Sequence, residues 1–139
     1  GPFISSDRAM SYCSNIISRF GVKAGNLSGP IAALSGGNLQ RLLVGRELDG
    51  KPSVVVASQP TRGLDVKGVK AIQDLLIEQR NSGAAVMMIS EDLDELLAIA
   101  DRLLEIEGGV LRGEFDPQTA SRQEVGMAML SDKQVTTNL

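Results

Sequence analysis

The sequence has no histidine and no tryptophan among its 139 residues, and it has one cysteine, Cys13. The lack of histidine excludes histidine-based catalytic triads and zinc sites ligated by histidine. One cysteine cannot form an internal disulfide, which suits a reducing compartment. Aromatic residues make up 3% of the chain, so platforms on which nucleic-acid bases could stack are scarce. These absences remove several common classes of enzyme and of nucleic-acid-binding protein.

The chain also has fewer positively than negatively charged residues. Fourteen Lys and Arg residues face 17 Asp and Glu residues, which gives a net charge of −3 and a pI near 4.9. Such a chain has no basic surface to neutralise phosphates, and we expect no nucleic-acid partner. No apolar run approaches the roughly 20 residues that a membrane span needs. The 42% hydrophobic and 22% charged content predicts a soluble globular domain, or equally a piece of a larger one.

The spacing of apolar residues predicts a helical portion first. Apolar side chains recur at helical spacing from Ser5 to Phe20, which indicates an amphipathic helix. A loop rich in glycine follows, and a second helix is predicted from Ser35 to about Gly50, before Pro52. The first third of the chain is therefore predicted to be mainly helical.

After Pro52, the pattern of apolar residues changes to one that is typical of strands. The apolar runs 53–57 and 84–89 are typical of parallel strands buried on both faces, and the helical pattern at 67–81 joins them into a βαβ unit. We expect residues 103–106 in the same sheet and a helix at 92–100 packed on it. Two more features are predicted after this portion: a hairpin turn at Gly108 and Gly109, and a helix within Pro117–Leu130.

The segment LSGGNLQ, residues 34–40, carries the strongest local signal. A serine and two glycines directly before a helix combine a hydroxyl, exposed backbone N–H groups and the positive end of the helix dipole, which together suit a phosphate. Taken alone, the same pattern also fits an ordinary helix N-cap after a flexible loop.

Two further motifs follow in order, VVVASQPTRGLD ending at Asp65 and ISED ending at Asp92. With LSGGNLQ they resemble the ATP-binding-cassette (ABC) ATPases: signature motif, Walker B strand, D-loop and switch strand. The resemblance runs from about Phe3 to Leu130. It is nearest to the carboxyl-terminal cassette of double-cassette ATPases that drive importers of simple sugars and nucleosides.

The resemblance implies an α/β, partial P-loop NTPase (ABC cassette) fold, in which a helical subdomain precedes parallel-sheet βαβ units. No GxxxxGK[ST] segment occurs, so the Walker A half is missing. The implied parts are a helical subdomain with the signature (1–50), an α/β core with Walker B, D-loop and switch strand (51–116), and a carboxyl-terminal helix and tail (117–139). Because the preceding strands are missing, we also expect an exposed sheet edge or apolar patch.

The resemblance further implies that the cofactor is ATP with Mg²⁺ in the full-length dimeric assembly, without tight binding to this fragment. Two cassettes of the family face each other, and the signature of one completes the ATP site of the other. The residues implied in cofactor binding are Ser35, Gly36, Gly37, Asn38, Gln40 and Asp65. For Gln40, a solvated helix residue is an equal alternative.

The departures from the family pattern fall on its catalytic positions. Ser58 and Gln59 stand where the Walker B strand ends in aspartate and glutamate, and neither can balance the charge of a metal or serve as a general base. Glu91 stands at the switch position, which is usually histidine, and a carboxylate there would repel the charge that develops on the phosphate. Alternatively, Glu91 only places negative charge on the first turn of a helix. No catalytic residue of this site is intact, and no metal ligand is predicted.

The implied function is that of the ATP-binding subunit of an importer for simple sugars or nucleosides, in which this cassette lends its signature while its own site is degenerate. The implied partners are an opposing cassette, transmembrane permease subunits and, indirectly, a solute-binding protein. The implied location is cytoplasmic, on the inner face of the cell membrane. The full-length protein would be a transport ATPase, whereas this fragment is expected to be inactive alone. Two alternatives remain: a regulatory or dimerising cassette that does not hydrolyse ATP, and a soluble ABC protein acting on the ribosome or DNA.

Overall fold

The computed structural model describes residues 5–130, which form two compact units, one ending at Ile89 and one beginning at Ser90. The elements of the first unit are α1 (Ser6–Arg19), a 3-10 turn (Ile31–Ala33), α2 (Gly36–Asp49), β1 (Val54–Ser58), α3 (Val66–Asn81) and β2 (Ala85–Ile89). Those of the second unit are α4 (Leu93–Ile99), β3 (Leu103–Glu107), β4 (Val110–Phe115) and α5 (Arg122–Met129). The first four predicted helices match α1 to α4 to within one residue at each end.

The core of the first unit lies where α1 meets α2. Four apolar side chains are buried together there, each at most 6% exposed: Ile16, Phe20, Val22 and Leu48. Val55 of β1 and Leu75 of α3 pack against this cluster. Gly45 of α2 allows the close approach, since a Cβ added there would lie 2.6 Å from Cγ of Phe20. The helical portion and the strand portion of this unit therefore share one core.

Strands β1 and β2 pair in parallel, from Val54 opposite Ala85 to Ser58 opposite Ile89, and α3 connects them. The predicted βαβ unit is confirmed. Burial alternates along both strands, because α3 supplies Ile72 and Leu76 as buried side chains on one side. The prediction of burial on both faces is wrong for the described residues.

The other face of this sheet is open, with Val56 65% and Met87 54% exposed. An alternating pattern of this kind is ordinary for a sheet covered on one side. Here, however, the exposed positions are apolar, and Val54 and Ile89 add to them. The expected exposed apolar patch is confirmed.

In the second unit, β3 and β4 form an antiparallel hairpin with an irregularity between Glu105 and Ile106. Gly108 and Gly109 have φ of +57° and +79°, as a two-residue turn with both φ values positive requires. The predicted hairpin is confirmed. The prediction that 103–106 joins the sheet of 53–57 and 84–89 is wrong among the described residues, because β3 takes β4 as its partner and the two pairs are separate sheets.

Helix α5 begins at Arg122, later than Pro117, where the predicted helical stretch started. A capping box fixes this beginning: Ser121 Oγ accepts from the N–H of Glu124, and the Glu124 carboxylate accepts from the N–H of Ser121. The N–H and the hydroxyl of Ser121 both donate to the Glu124 carboxylate, and these two bonds lower the pKa of Glu124. Val125 is the buried residue of α5, which contacts α4. The part of the predicted carboxyl-terminal tail at 131–139 lies outside the described residues.

The α/β architecture with a parallel βαβ unit is thus confirmed, whereas the division into 1–50, 51–116 and 117–139 stays a prediction. Among residues 5–130, no helix has the length and apolar content to cross a membrane.

Candidate functional site

The signature residues lie at the amino-terminal end of α2. Ser35 is the N-cap residue, with φ −63° and ψ 155°, and its side chain makes no capping bond to the helix. Gly36 and Gly37 form the first turn, and a Cβ added at either would meet no other described atom within 4 Å. This helix end is therefore open to an approaching group, and its first N–H groups point along the helix axis toward it.

Asn38 connects this helix end to the loop after α1. Its Nδ2 donates to Ser35 Oγ at 2.9 Å, and its Oδ1 accepts from the backbone N–H of Lys23 at 2.8 Å. The two bonds use both ends of the amide. Asn38, one helical turn after Ser35, therefore holds the serine side chain in place.

Gln40 forms a link that neither alternative from the sequence included. Its Nε2 donates to the carbonyl oxygen of Pro60 at 2.7 Å, and the contact is partly buried. The bond joins α2 to the segment that follows β1, 20 residues further along the chain. The predicted nucleotide contact of Gln40 stays a prediction, and the structure shows this side chain engaged within the chain itself.

The carboxyl-terminal end of β1 carries the two positions that depart from the Walker B pattern. Ser58 is exposed at the end of the strand, opposite Ile89. Gln59 has φ +50°, a conformation uncommon for a non-glycine residue. Its N–H donates to the carbonyl of Ile89 at 2.8 Å, and its own carbonyl accepts from Arg62 at 3.3 Å. Neither position supplies a carboxylate, so this strand end has no acidic side chain to face a hydrated cation.

A pair of turns leads from Gln59 to α3. Thr61 is 8% exposed, and its carbonyl accepts from Leu64 N–H at 3.1 Å, which closes the second turn. Asp65 is the N-cap of α3, where its Oδ1 accepts from Gly68 N–H at 2.7 Å. A Cβ at Gly68 would lie 3.0 Å from that same oxygen. Asp65, for which the sequence predicts a D-loop role, is thus engaged in a helix cap.

Glu91 lies in the second unit, exposed and two residues before α4 begins. The acidic residues of the first turn are instead Asp94 and Glu95, and Asp92 is the N-cap. Glu95 is 7% exposed and accepts from Ser90 Oγ at 3.0 Å. The structure therefore places Glu91 outside the helical turn where it would have met the helix dipole directly.

The structure brings some of the predicted residues together and leaves others apart. Ser35 and Asn38 are directly bonded, and Gln40 reaches the residue after Gln59. The part played by Lys23 has no signal in the sequence, because Lys23 contributes only its backbone N–H and lies 15 residues from Asn38. No cluster of acidic or cysteine side chains suited to a metal ion occurs in residues 5–130.

The fit to ATP with Mg²⁺ differs between the two places in the first unit. The end of α2 offers a hydroxyl and free N–H groups, which suit a phosphate. The end of β1 offers a hydroxyl and an amide, which are poor substitutes for the carboxylate that a hydrated magnesium ion calls for. The chain's residues therefore fit the phosphate at the signature and do not fit the metal at the strand end.

Known proteins that are similar to this chain include ATP-binding proteins of importers. No family model matches the chain. A nucleoside import ATP-binding protein of Lactococcus lactis is 37% identical over 92% of this chain, and a glucose import ATP-binding protein of Haloferax volcanii is 43% identical over 69% of it. The chain spans only 25% and 18% of the lengths of these relatives.

Among solved structures, a dimeric ATP-binding cassette in a post-hydrolysis state, bound to ADP and Pi, aligns with a TM-score of 0.68 at 22% identity. The alignment covers 83% of this chain and 50% of that one. The chain therefore has a partial ATP-binding-cassette fold of the P-loop NTPase class, and it is similar, at 37% and 43% identity, to ATP-binding proteins of nucleoside and sugar importers.

Proposed function

We propose that this chain is part of the ATP-binding subunit of an ABC importer for simple sugars or nucleosides, and that it corresponds to a second cassette. In this proposal Ser35, Gly36, Gly37 and Asn38 complete the ATP site of an opposing cassette. The site that would use Ser58 and Gln59 is degenerate. The observation that carries the proposal is the open amino-terminal end of α2, beside glycines whose added Cβ would meet nothing within 4 Å.

The chemical groups at the two places suit the two proposed roles, an intact signature and a degenerate ATP site. The serine hydroxyl and the N–H groups of the first turn of α2 would bind phosphate oxygens, and the glycines allow a close backbone approach. At the other end, ATP with Mg²⁺ would meet no carboxylate at Ser58 or Gln59, so neither metal balance nor general-base assistance is available there. ATP supplies the phosphoryl group whose hydrolysis drives such an importer.

The proposal includes partners and a location. The partners are the opposing cassette, permease subunits in the membrane and, indirectly, a solute-binding protein. Asp65 lies at the D-loop position and would face the interface with the opposing cassette. The chain would sit at the cytoplasmic face of the cell membrane through the permease. The glucose and nucleoside relatives support this class of solute.

A second candidate is a cassette that dimerises without hydrolysing ATP. It is favoured by the end of β1, where the Gln59 N–H and the Pro60 carbonyl are satisfied within the chain. Counting ATP turnover sites in the purified full-length protein separates the two. One working site per chain supports the importer ATPase, and none supports the dimerising cassette. Action on the ribosome or DNA is disfavoured by the net charge of −3.

The test of the proposal is solute uptake in cells that carry variants of the intact transporter at matched expression. Ser35→Arg places a large cation where the glycines admit the phosphate, and we expect it to abolish uptake. Gln59→Glu restores one acid while Ser58 and Glu91 remain, so uptake should stay within about twofold.

The matched control is Ser28→Arg, since Ser28 is an exposed serine of the loop before the signature. It introduces the same cation away from the helix end and should leave uptake unchanged. Normal uptake with Ser35→Arg would show that this signature completes no working site, and the proposal would be abandoned.

A further inference from the structure

The family resemblance implies that Asn38 binds the cofactor, but its contacts indicate another role. We propose that Asn38 is a positioning residue: it holds the Ser35 hydroxyl so that its hydrogen is donated outward to the phosphate, and it does not contact the ligand itself. This inference rests on the proposed function of the signature. It goes beyond that function in assigning the direction of a hydrogen bond and the residue that sets it.

The direction follows from the backbone of Lys23. A backbone N–H can only donate, so the Asn38 atom at 2.8 Å from Lys23 N must be the carbonyl oxygen Oδ1. The amide nitrogen Nδ2 then faces Ser35 Oγ at 2.9 Å. Since Nδ2 has no acceptor capacity, Ser35 Oγ must accept there, and its own hydrogen is directed elsewhere. The Lys23 N–H thereby fixes the direction in which the Ser35 hydroxyl donates its hydrogen, through two successive hydrogen bonds.

The position of Ser35 makes this polarity useful. A serine at an N-cap ordinarily accepts from the N–H groups of the first turn, but Ser35 makes no such bond. The hydroxyl hydrogen and the first N–H groups of α2 are therefore all left as donors at one open helix end. A phosphate is an acceptor at every oxygen, so a set of donors with no competing acceptor suits it.

The substitution Asn38→Asp reverses the polarity with little change of shape. The new carboxylate still accepts from Lys23 N–H, but its second oxygen can only accept from Ser35, so the hydroxyl hydrogen turns inward. A hydrogen bond to a charged group is lost, and we expect kcat for ATP hydrolysis to fall about 10- to 100-fold in the assembled importer. KM should change less than kcat, because the lost donor serves charge that develops in the transition state.

Loss of folding does not explain such a result. An acidic residue in the first turn of a helix is favoured by the helix dipole, so Asn38→Asp should leave thermal stability unchanged or raise it. The matched control is Asn26→Asp, because Asn26 Oδ1 accepts from Ser28 N–H and a carboxylate accepts equally well. This control adds the same charge in the neighbouring loop and should leave kcat unchanged.

A double-mutant cycle with Ser35→Ala decides whether Asn38 acts through the serine. We expect Asn38→Asp to change kcat by no more than about twofold once the hydroxyl is absent. An equal loss with and without the hydroxyl would show that residue 38 acts directly on the ligand or through its charge, and the positioning role would be wrong while the signature proposal stands. An unchanged kcat with Ser35→Ala alone would overturn both proposals.

Discussion

The amino-terminal end of α2 and the carboxyl-terminal end of β1 lie in the same compact unit, joined by the bond from Gln40 to Pro60, but they use their polar groups in opposite ways. At α2, Ser35 leaves the helix N–H groups uncapped and the glycines leave space. At β1, the N–H of Gln59 is bound to Ile89, and Asp65, after the next turns, caps α3.

The end of α2 has open hydrogen-bond donors, whereas the backbone groups at the end of β1 are satisfied within the chain. Buried or partly buried polar groups that already have partners gain little from a ligand, because a new bond only replaces an old one. Open donors that otherwise face water can exchange it for phosphate oxygens. Under the proposed function, the first end binds the ligand and the second contributes mainly to the geometry of the fold.

The largest expected effect contrasts two glycines of α2. Gly45→Ala places a Cβ 2.6 Å from Cγ of Phe20 and should lower the free energy of unfolding by about 1–3 kcal/mol, despite the better helix propensity of alanine. Gly37→Ala meets no described atom within 4 Å, so stability should hold or rise while ATP turnover falls.

Chemical denaturation of both variants, with turnover measured in the assembled importer, checks this contrast. A stable, inactive Gly45→Ala protein or an unstable Gly37→Ala protein would reverse the assignment of the two positions. The control is Gly126→Ala on α5, where an added Cβ also meets nothing within 4 Å.

An intermediate effect is expected at Asp65. Asp65→Ala removes the cap bond to Gly68 N–H and should cost about 1 kcal/mol of stability. Asp65→Asn keeps an acceptor for that bond and should be nearly neutral, because asparagine caps helices as well as aspartate. Thermal unfolding measures both variants.

In the proposed function, Asp65 also faces the interface with the opposing cassette, in addition to capping α3. If Asp65→Asn lowers ATP turnover at unchanged stability, the carboxylate has a role across the cassette interface in addition to capping. If turnover follows stability in both variants, the strand end contributes structure alone.

The smallest expected effect tests the bond between the two ends. Gln40→Leu removes the donor to the Pro60 carbonyl and should lower the free energy of unfolding by about 0.5 kcal/mol. The matched control is Gln123→Leu. Because Gln123 is exposed on α5, this substitution should leave the free energy of unfolding nearly unchanged. Equal midpoints of denaturation for the two variants would show that the bond contributes nothing measurable.

The sequence predicted the local structure well where residues within one element are enough to specify it. Helices α1 to α4 follow from apolar spacing and from capping residues, and the hairpin turn follows from Gly108 and Gly109, which adopt positive φ at no steric cost. The pairing of β1 with β2 and that of β3 with β4 are confirmed, whereas the predicted place of 103–106 in the sheet of β1 and β2 is wrong among the described residues. Membership of a sheet depends on segments far apart in the chain, which local spacing does not specify.

At the candidate site, the amino-acid sequence alone specifies which chemical groups are present: a serine and glycines before a helix, and a serine and glutamine where carboxylates would hold a cation. It could not determine what those groups contact. Only the tertiary structure brings Lys23 to Asn38 and Gln40 to Pro60, and only it leaves the face of Val56 and Met87 open. The physical reason is that composition and spacing fix local preference, whereas the direction of a hydrogen bond and the exposure of a face depend on residues far away in the chain.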